Sequence, residues 1–110
     1  MSNKPNLYRV LWTQPALKAL AKLFNVSHND VFNRSKLILS QDPHQQADGV
    51  TDYSDFKYNG YYWVLLHNVV LIYTISETKE AVRIRACYFA NTESSHQIFW
   101  GIEPEEEELR

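Results

Sequence analysis

Two different spacings of apolar residues divide the chain near residue 50. In residues 14–41 apolar positions recur every three or four residues, which is typical of helices that bury one face. In residues 61–89 they alternate or run continuously, and β-branched and aromatic residues dominate, which favours strands. Residues 7–12 share this strand composition. The pattern therefore predicts one strand, then two helices, then a group of strands.

Both predicted helices have start signals and a face to bury. Thr13 can cap the first helix, and Pro15 is tolerated in its first turn. Ser27, with Asp30 three residues later, resembles a capping box for the second helix. Asp42–Pro43 ends that helix, because a proline disfavours helical backbone in the residue before it. The residues predicted to be buried are Leu17, Leu20, Ala21 and Phe24 in the first helix, and Val31, Ser35, Ile38 and Leu39 in the second.

The second half of the chain predicts a hairpin followed by a further strand. Two apolar runs, 61–66 and 69–75, are separated only by His67 and Asn68, which leaves room for a two-residue turn. After a polar turn, residues 81–89 alternate regularly. That alternation predicts one face with Val82, Ile84, Ala86 and Tyr88, and the opposite face with Arg83, Arg85, Cys87 and Phe89.

The element order predicts an α+β fold, β-α-α-β-β-β, with the two N-terminal helices packed on one face of a small antiparallel sheet. We expect the other face to be partly open. The polar segment 44–52 is predicted to be a loop, and residues 53–58 can add a short edge strand. The 110 residues fit one domain at 1–102, followed by an acidic tail at 103–110 that we expect to be disordered.

Composition argues against several classes of protein. The single Cys excludes a disulfide framework and an all-Cys metal cluster, and the four His residues show no metal-ligand spacing. No apolar run approaches the roughly 18 residues of a membrane span. The first six residues lack the apolar stretch of a signal peptide. We therefore expect a cytoplasmic protein with no cofactor, no metal and no membrane association.

The net charge of −2 conceals an uneven distribution. Residues 103–110 hold five acidic residues and one basic residue; without them, ten of the 11 Lys and Arg residues face eight of the 13 acidic residues, which gives +2. Residues 1–41 are the most basic region. They either attract an acidic partner or form ordinary solvated helix surfaces. The acidic tail is either simply disordered or folds over the basic half and masks it.

Four residues are candidates for chemistry. Arg83 and Arg85 are two positions apart on a predicted strand, so both project from the same face, and guanidinium groups suit phosphate geometry. Three interpretations are open for this pair: it binds phosphate, it binds the carboxylates of a protein partner, or it is an ordinary pair of surface arginines. His96 can act as an acid or base near neutral pH, or is only a surface residue. Regular alternation would place Tyr88 on the face opposite the arginines unless a bulge intervenes.

Other reactive or aromatic residues are expected to be structural. Cys87 on a strand is expected to be a small buried hydrophobe rather than a nucleophile. The apolar cluster 98–102 either packs back on the sheet, as we expect, or docks a partner. Five aromatic residues could stack bases, although their strand positions favour packing in the core: Tyr58, Tyr61, Tyr62, Trp63 and Tyr73.

Three segments carry a family resemblance. Residues 8–16 run from a strand into a helix through Y-R-V-L-W-T-Q-P-A, and residues 37–43 end a helix in L-I-L-S-Q-D-P. Residues 60–75 form the hairpin G-Y-Y-W-V-L-L-H-N-V-V-L-I-Y-T-I. In their order and spacing these segments resemble the RelE/ParE superfamily of toxins from bacterial type II toxin–antitoxin systems, over about residues 7–90.

The resemblance implies a toxin that inhibits growth and is neutralised by a cognate antitoxin. Two mechanisms occur in the superfamily: cleavage of mRNA on the ribosome, in which a 2′-hydroxyl attacks the adjacent phosphate, and non-enzymatic inhibition of DNA gyrase. Cleavage needs a base, an acid and cations against the developing charge. The candidates for these roles are Arg83, Arg85, Tyr88 and His96.

Several cationic positions of the family are apolar in this chain. A family arginine falls at Val70, two more fall at Val64 and Leu66, and the base or cation after the last strand falls among residues 88–90. Endoribonuclease activity, which the RelE branch would imply, is therefore left open. Two alternatives remain: a catalytically silent protein-binding module on the same fold, and an unrelated α+β domain. Candidate partners are an antitoxin, the ribosome with its mRNA, and gyrase; the sequence predicts no oligomeric state.

Overall fold

A computed structural model of the chain describes residues 7–23, 26–52 and 58–90. These ranges contain five strands and three helices. The strands are β1 (Arg9–Trp12), β2 (Gly49–Val50), β3 (Tyr62–Leu66), β4 (Val69–Ser76) and β5 (Ala81–Phe89). The helices are α1 (Gln14–Ala21), α2 (His28–Leu39) and α3 (Pro43–Gln46). The predicted α+β order of one strand, two helices and a group of strands is confirmed.

The five strands form one sheet in the order β1-β5-β4-β3-β2. Its central part is the predicted antiparallel meander, in which β3 pairs with β4 and β4 with β5. The first strand, however, lies parallel to the last, with Arg9 opposite Ala81 and Trp12 opposite Ile84. The sheet is therefore mixed rather than wholly antiparallel, because α1 and α2 return the chain to the same end of the sheet before the meander begins.

The predicted hairpin between β3 and β4 is confirmed. His67 and Asn68 both have positive φ angles, 52° and 66°. This left-handed backbone at both central positions is what a two-residue turn of type I′ requires, and Asn tolerates it better than most residues. The turn sets the register of the hairpin, which places Leu66 opposite Val69 and Tyr62 opposite Tyr73.

Helix α1 buries Leu20 as predicted, but its buried face is rotated from the predicted one. Ala16 is buried beside Leu20, whereas Leu17 and Ala21 are exposed. The reason lies in the junction with β1, where the Thr13 hydroxyl donates to Ile84 O at 2.9 Å and fixes the rotation of the helix. The small Ala16 side chain then lets the helix backbone approach β5.

Helix α2 buries Val31, Ser35 and Leu39 as predicted, with Ile38 half-buried. Ser27 is its N-cap residue, but the Ser27 side chain forms no capping hydrogen bond, so the predicted capping box is wrong in that respect. The segment predicted as a loop at 44–52 is more ordered than expected. It contains most of α3, which Asp42 caps through Gln45 N at 3.3 Å, and all of β2.

Both faces of the sheet carry an apolar cluster. The face covered by the helices holds Leu71, Tyr73 and Ile84 among the residues that are fully buried. We call the other side the second face. It was expected to be partly open, but Val70 and Ile72 are fully buried there, with Trp63 and Ala86 nearly so.

Several predictions concern residues outside the described ranges: Phe24 in the first helix, most of the edge strand at 53–58, His96, the apolar cluster 98–102 and the acidic tail 103–110. Of the predicted edge strand, only Tyr58 is described, and it lies in a turn. These predictions, and the division of the chain at residue 102, stay predictions.

Candidate functional site

The most informative feature of the last strand is a β-bulge at Arg85. Ile72 pairs with Ala86 and the next residue of β4, Tyr73, pairs with Ile84, so Arg85 is the extra residue. Before the bulge Val82 and Ile84 belong to the helix-covered face, and after it Cys87 does. One inserted residue thus reverses which side chains share a face.

The bulge corrects the predicted position of Tyr88. Regular alternation would have put Tyr88 with Val82 and Ile84, but the structure packs it against the apolar cluster of the second face with Ala86. Arg83, between two residues of the helix-covered face, also points to the second face. Arg83, Arg85 and Tyr88 therefore lie on the same side of the sheet. Alternation could not reveal this, because Arg85 suits a bulge as well as a regular strand.

The side chain of Arg85 is oriented by its neighbour on β4. Arg85 Nε donates a hydrogen bond to Thr74 Oγ1 at 3.3 Å. Thr74 is opposite Arg83 in the strand pairing and follows Tyr73, a residue of the helix-covered face, so Thr74 lies on the second face. Both arginines are half-buried, which leaves their guanidinium groups with access to solvent.

A third arginine extends this cationic surface onto the neighbouring strand. Arg9 and Leu11 are the exposed residues of β1, while Val10 between them is buried under the helices. Leu11 is opposite Arg83 in the parallel pairing. Neighbouring strands lie about 4.8 Å apart, so Arg9, Arg83 and Arg85 form one surface, which we call the basic patch.

Tyr88 marks the other end of this surface. Burial raises the pKa of its phenol, and the nearby Tyr58 and Cys87 raise it further, so the hydroxyl stays protonated at neutral pH. It can donate a hydrogen bond but cannot serve as a base there. Along β5 it is about 10 Å from Arg85, at roughly 3.3 Å per residue.

The aromatic residues of the second face support the site and are mainly structural. Trp63 is buried against Gly49, where an added Cβ would come within 2.8 Å of Trp63 Nε1. Tyr58 and Tyr61 pack together with their ring centroids 5.7 Å apart. On the helix-covered face, Tyr73 is fully buried and its hydroxyl donates to Pro43 O at 2.6 Å. Core packing, rather than base stacking, is confirmed for Trp63 and Tyr73.

Cys87 is the buried hydrophobe that the sequence predicts. Its side chain is almost fully buried, and Sγ donates to Ala16 O at 3.7 Å. Burial raises the pKa of the thiol to about 12, so it stays protonated at neutral pH and is a poor nucleophile.

A second polar cluster, which the sequence did not predict, lies at the turn between β4 and β5. The Tyr8 hydroxyl donates to Glu77 Oε1 at 2.8 Å, and His44 Nε2 hydrogen-bonds Glu77 Oε2. These two bonds lower the pKa of Glu77, with the His44 bond the larger cause. The ring of His44 also meets Tyr62 edge to face, with centroids 5.5 Å apart. The cluster ties the β4–β5 turn to β1 and α3.

A shallow groove separates α1 from the end of β5. Its volume is about 670 Å³, and Pro15, Ala19, Leu23 and Cys87 contribute apolar lining. Lys18 and Lys22 also line it, one helical turn apart. Such a surface suits a protein segment with apolar and acidic side chains better than it suits a small molecule.

The described ranges give no sign of a metal centre or a membrane span. No three His, Cys, Asp or Glu side chains within residues 7–23, 26–52 and 58–90 lie close enough together to hold a metal ion. None of the helices in this part of the chain is long and apolar enough to cross a membrane.

Comparison with known proteins identifies the fold. No protein-family model and no curated protein sequence matches this chain. Among solved structures, it is similar to the toxin–antitoxin complex RelBE2 of Mycobacterium tuberculosis, with a TM-score of 0.61 and 22% identity over 80% of this chain and 97% of that one. The archaeal RelE–RelB complex of Pyrococcus horikoshii gives a TM-score of 0.57 and 21% identity over 77% and 97% of the two chains.

A third similar structure is the E. coli toxin RelE in the free state, as a variant with two arginines, two residues apart, replaced by alanine. The TM-score is 0.54 at 16% identity, covering 86% of this chain and 96% of that one. These similarities show that the chain has the RelE fold, which agrees with the resemblance seen in the sequence.

Proposed function

We propose that this chain is the toxin of a type II toxin–antitoxin system, that a cognate antitoxin neutralises it, and that it acts by binding RNA phosphates at the basic patch. The observation that carries this proposal is the bulge at Arg85, which brings Arg83, Arg85 and Tyr88 onto one side of the sheet. Three arginines and a protonated phenol on one surface suit an anionic ligand with several phosphate groups.

The RelE fold supports both the proposed toxin function and the proposed antitoxin partner. Two of the similar structures are complexes of a RelE toxin with a RelB antitoxin. The arginine pair replaced in the E. coli RelE structure has the same two-residue spacing as Arg83 and Arg85. Fold alone does not establish function, so the basic patch has to supply the chemical argument.

For cleavage of mRNA, the 2′-hydroxyl oxygen would form a bond to the adjacent phosphorus while the bond from phosphorus to the 5′-oxygen breaks. Arg83 and Arg85 would stabilise the negative charge that develops on the phosphate oxygens. Tyr88, being protonated, would donate a hydrogen bond or a proton towards the leaving oxygen. The base that accepts the 2′-hydroxyl proton would have to come from elsewhere; His96 is the candidate from the sequence.

A catalytically silent protein-binding module is the second candidate. The groove between α1 and β5, with its apolar lining and two lysines, favours this function. The apolar residues at family cationic positions also favour it: Val64 and Val70 are buried, so neither position offers a cation to RNA. Inhibition of DNA gyrase, as in the ParE branch, would likewise need a protein surface rather than a reactive site.

A growth experiment with matched variants tests the proposal. The wild-type chain is expressed from an inducible promoter, alone and together with the product of the adjacent gene. Arg83→Ala with Arg85→Ala removes two patch cations. Arg34→Ala with Lys36→Ala is the control, because it removes two exposed cations, also two residues apart, from α2. Soluble yield and thermal unfolding confirm that each variant folds.

We expect growth arrest with the wild type and the α2 variant, relief by the adjacent gene product, and no arrest with the patch variant. Cleaved mRNA in a reconstituted translation reaction would identify the RNA mechanism. Arrest that persists in the patch variant, with loss of gyrase supercoiling, would contradict a role for phosphate binding. Unaffected growth with folded wild-type protein would contradict the toxin itself and leave the protein-binding module.

A further inference from the structure

The basic patch has no acidic partner in the described part of the chain. Within residues 7–23, 26–52 and 58–90, the one ion pair joins His44 and Glu77 at the turn between β4 and β5. Arg83 faces Thr74 and Leu11 across the two strand pairings, neither of which can neutralise its charge. Glu80, the acidic residue nearest to Arg83 in the sequence, is exposed in the turn between β4 and β5 and forms no ion pair with a described residue.

The sequence supplies concentrated negative charge beyond β5. Residues 103–110 contain five glutamates and one arginine. Twelve residues separate Ala90 from Glu103, and an extended chain covers up to about 3.3 Å per residue, so this segment can reach about 40 Å. Arg83 is seven residues back along β5 from Ala90, roughly 20 Å away at strand spacing. The basic patch is therefore within reach.

We propose that the acidic segment, residues 103–110, binds the basic patch of its own chain and competes there with phosphate ligands. The carboxylates of the glutamates would pair with Arg83, Arg85 and Arg9, since guanidinium groups bind carboxylate and phosphate in the same geometry. The identity of the displaced ligand rests on the proposed function; the contact between the segment and the patch does not.

Competition of this kind is expected to be moderate and sensitive to salt. Individual exposed ion pairs are weak, but the segment is tethered, so its effective concentration at the patch is high. Together these considerations predict that the segment weakens polyanion binding about fivefold at low ionic strength. The effect should disappear at about 0.5 M salt, where screening acts over only a few ångströms. The segment would thus lower the affinity for RNA without abolishing it.

Nuclear magnetic resonance on the full chain tests the contact directly. The Nε–Hε signals of Arg83 and Arg85 are compared between the wild type and a variant in which residues 105–108 change from Glu to Gln. The Nε–Hε signal of Arg34 on α2 is the internal control. We expect the two patch signals to shift in the variant, and to shift in the same direction when salt is added to the wild type. Unchanged patch signals would overturn the proposal.

A double-mutant cycle separates a specific contact from an effect of net charge. The affinity for a fluorescent single-stranded oligouridine is measured in four proteins: wild type, the Gln variant at residues 105–108, Arg83→Gln with Arg85→Gln, and the combination. We expect the Gln change to tighten binding about fivefold when the arginines are present and less than about twofold when they are absent. Equal tightening in both backgrounds would overturn the proposal.

The two proposals fail separately. If wild-type protein does not arrest growth while the patch signals still respond to the Gln change, the toxin function is wrong and the intramolecular contact stands. If growth arrest depends on Arg83 and Arg85 while those signals do not respond, the contact is wrong and the toxin function stands.

Discussion

A single residue determines which side chains can act together on the second face. Strand side chains alternate between faces with a period of two, so one inserted residue reverses every later position. Arg85 is that residue, and without it Tyr88 would point under the helices, where Cys87 now packs. Bulges frequently re-aim side chains near functional sites. The shared face of Arg83 and Tyr88 is therefore a property of the backbone at Arg85.

The hydrogen bonds of Tyr8 and His44 to Glu77 predict that the stability of the fold depends on pH. Hydrogen bonds from His44 and Tyr8 hold the pKa of Glu77 below its unfolded value of 4.5. A group with a lowered folded pKa stabilises the fold above its unfolded pKa, and that stabilisation is lost as the pH falls through the folded pKa. Glu77→Gln should therefore lower the urea midpoint at pH 7, and the difference from the wild type should shrink below pH 4.5.

The control for this prediction is Glu80→Gln, a change in the same turn that leaves both hydrogen bonds to Glu77 in place. Urea unfolding, followed by circular dichroism across the pH range, measures both variants. A Glu77→Gln deficit that stays constant from neutral to acidic pH would contradict the assigned role of the carboxylate.

The close approach of Gly49 to Trp63 predicts that the effects of substitutions at these two positions on stability depend on each other. A Cβ at Gly49 would lie 2.8 Å from Trp63 Nε1, so Gly49→Ala should displace the indole and cost about 1–3 kcal/mol of stability. Gly60→Ala is the comparison: Gly60 has φ +86° with nothing within 4 Å of an added Cβ, so its cost of about 1–2 kcal/mol comes from backbone strain alone. In a Trp63→Phe background, the destabilisation caused by Gly49→Ala should become smaller, whereas that caused by Gly60→Ala should stay the same. Thermal unfolding measures both.

Among the elements of the fold, the junction between β1 and α1 fixes the position of the helix layer on the sheet. Thr13 caps α1 by accepting from Ala16 N at 3.4 Å, and its hydroxyl donates to Ile84 O on β5. The backbone N–H of Thr13 also donates to Ile84 O, at 3.1 Å. One residue thus ends a strand, starts a helix and joins both to the strand that carries the candidate site.

The two helix caps make a matched pair for mutation. Thr13→Ala removes a capping bond and a bond to the sheet, so the free energy of unfolding should fall by about 1–2 kcal/mol. Ser27→Ala removes a hydroxyl that forms no capping bond, and should change the free energy by less than about 0.5 kcal/mol. Denaturant unfolding measures both, and similar losses in the two variants would contradict the structure of the caps.

The sequence predicts elements better than it predicts their contacts. The change of period near residue 50 identifies the helices and strands, and His67–Asn68 identifies the hairpin. In α1 the burial of Leu20 was predicted correctly and that of Leu17 was not, because Leu17 is more apolar than Ala16, whereas the close approach to β5 requires the smaller residue. The parallel pairing of β1 with β5 joins residues more than 70 positions apart, and no local pattern records it.

The candidate site was predictable only in part. The spacing of Arg83 and Arg85 indicated a shared face, because both residues are close in sequence. Tyr88 could not be placed, since nothing in an alternating pattern marks a bulge. The cluster of Tyr8, His44 and Glu77 could not be foreseen either, because its members are distant in sequence and each is an ordinary surface residue alone.

At the scale of the whole molecule, a net charge of −2 coexists with a cationic surface. For single-stranded nucleic acid, the logarithm of the binding constant falls by about 0.7 per tenfold increase in salt concentration for each phosphate that the protein neutralises. If the three patch arginines each contact a phosphate, the slope of log K against log salt should be about −2, and Arg83→Ala with Arg85→Ala should reduce its magnitude by about 1.4. Fluorescence anisotropy gives both slopes, and an unchanged slope would place the binding surface elsewhere.

If Arg83, Arg85 and Tyr88 form one RNA-binding surface, they should respond together when RNA binds, and a titration observed by nuclear magnetic resonance shows whether they do. A short single-stranded oligoribonucleotide is added to the full chain while the side-chain signals of both arginines and the amide signal of Tyr88 are followed. We expect all three signals to shift along one saturating curve while the signal of Arg34 on α2 stays unchanged. Shifts confined to Arg34, or separate curves for Tyr88 and the arginines, would contradict the shared surface.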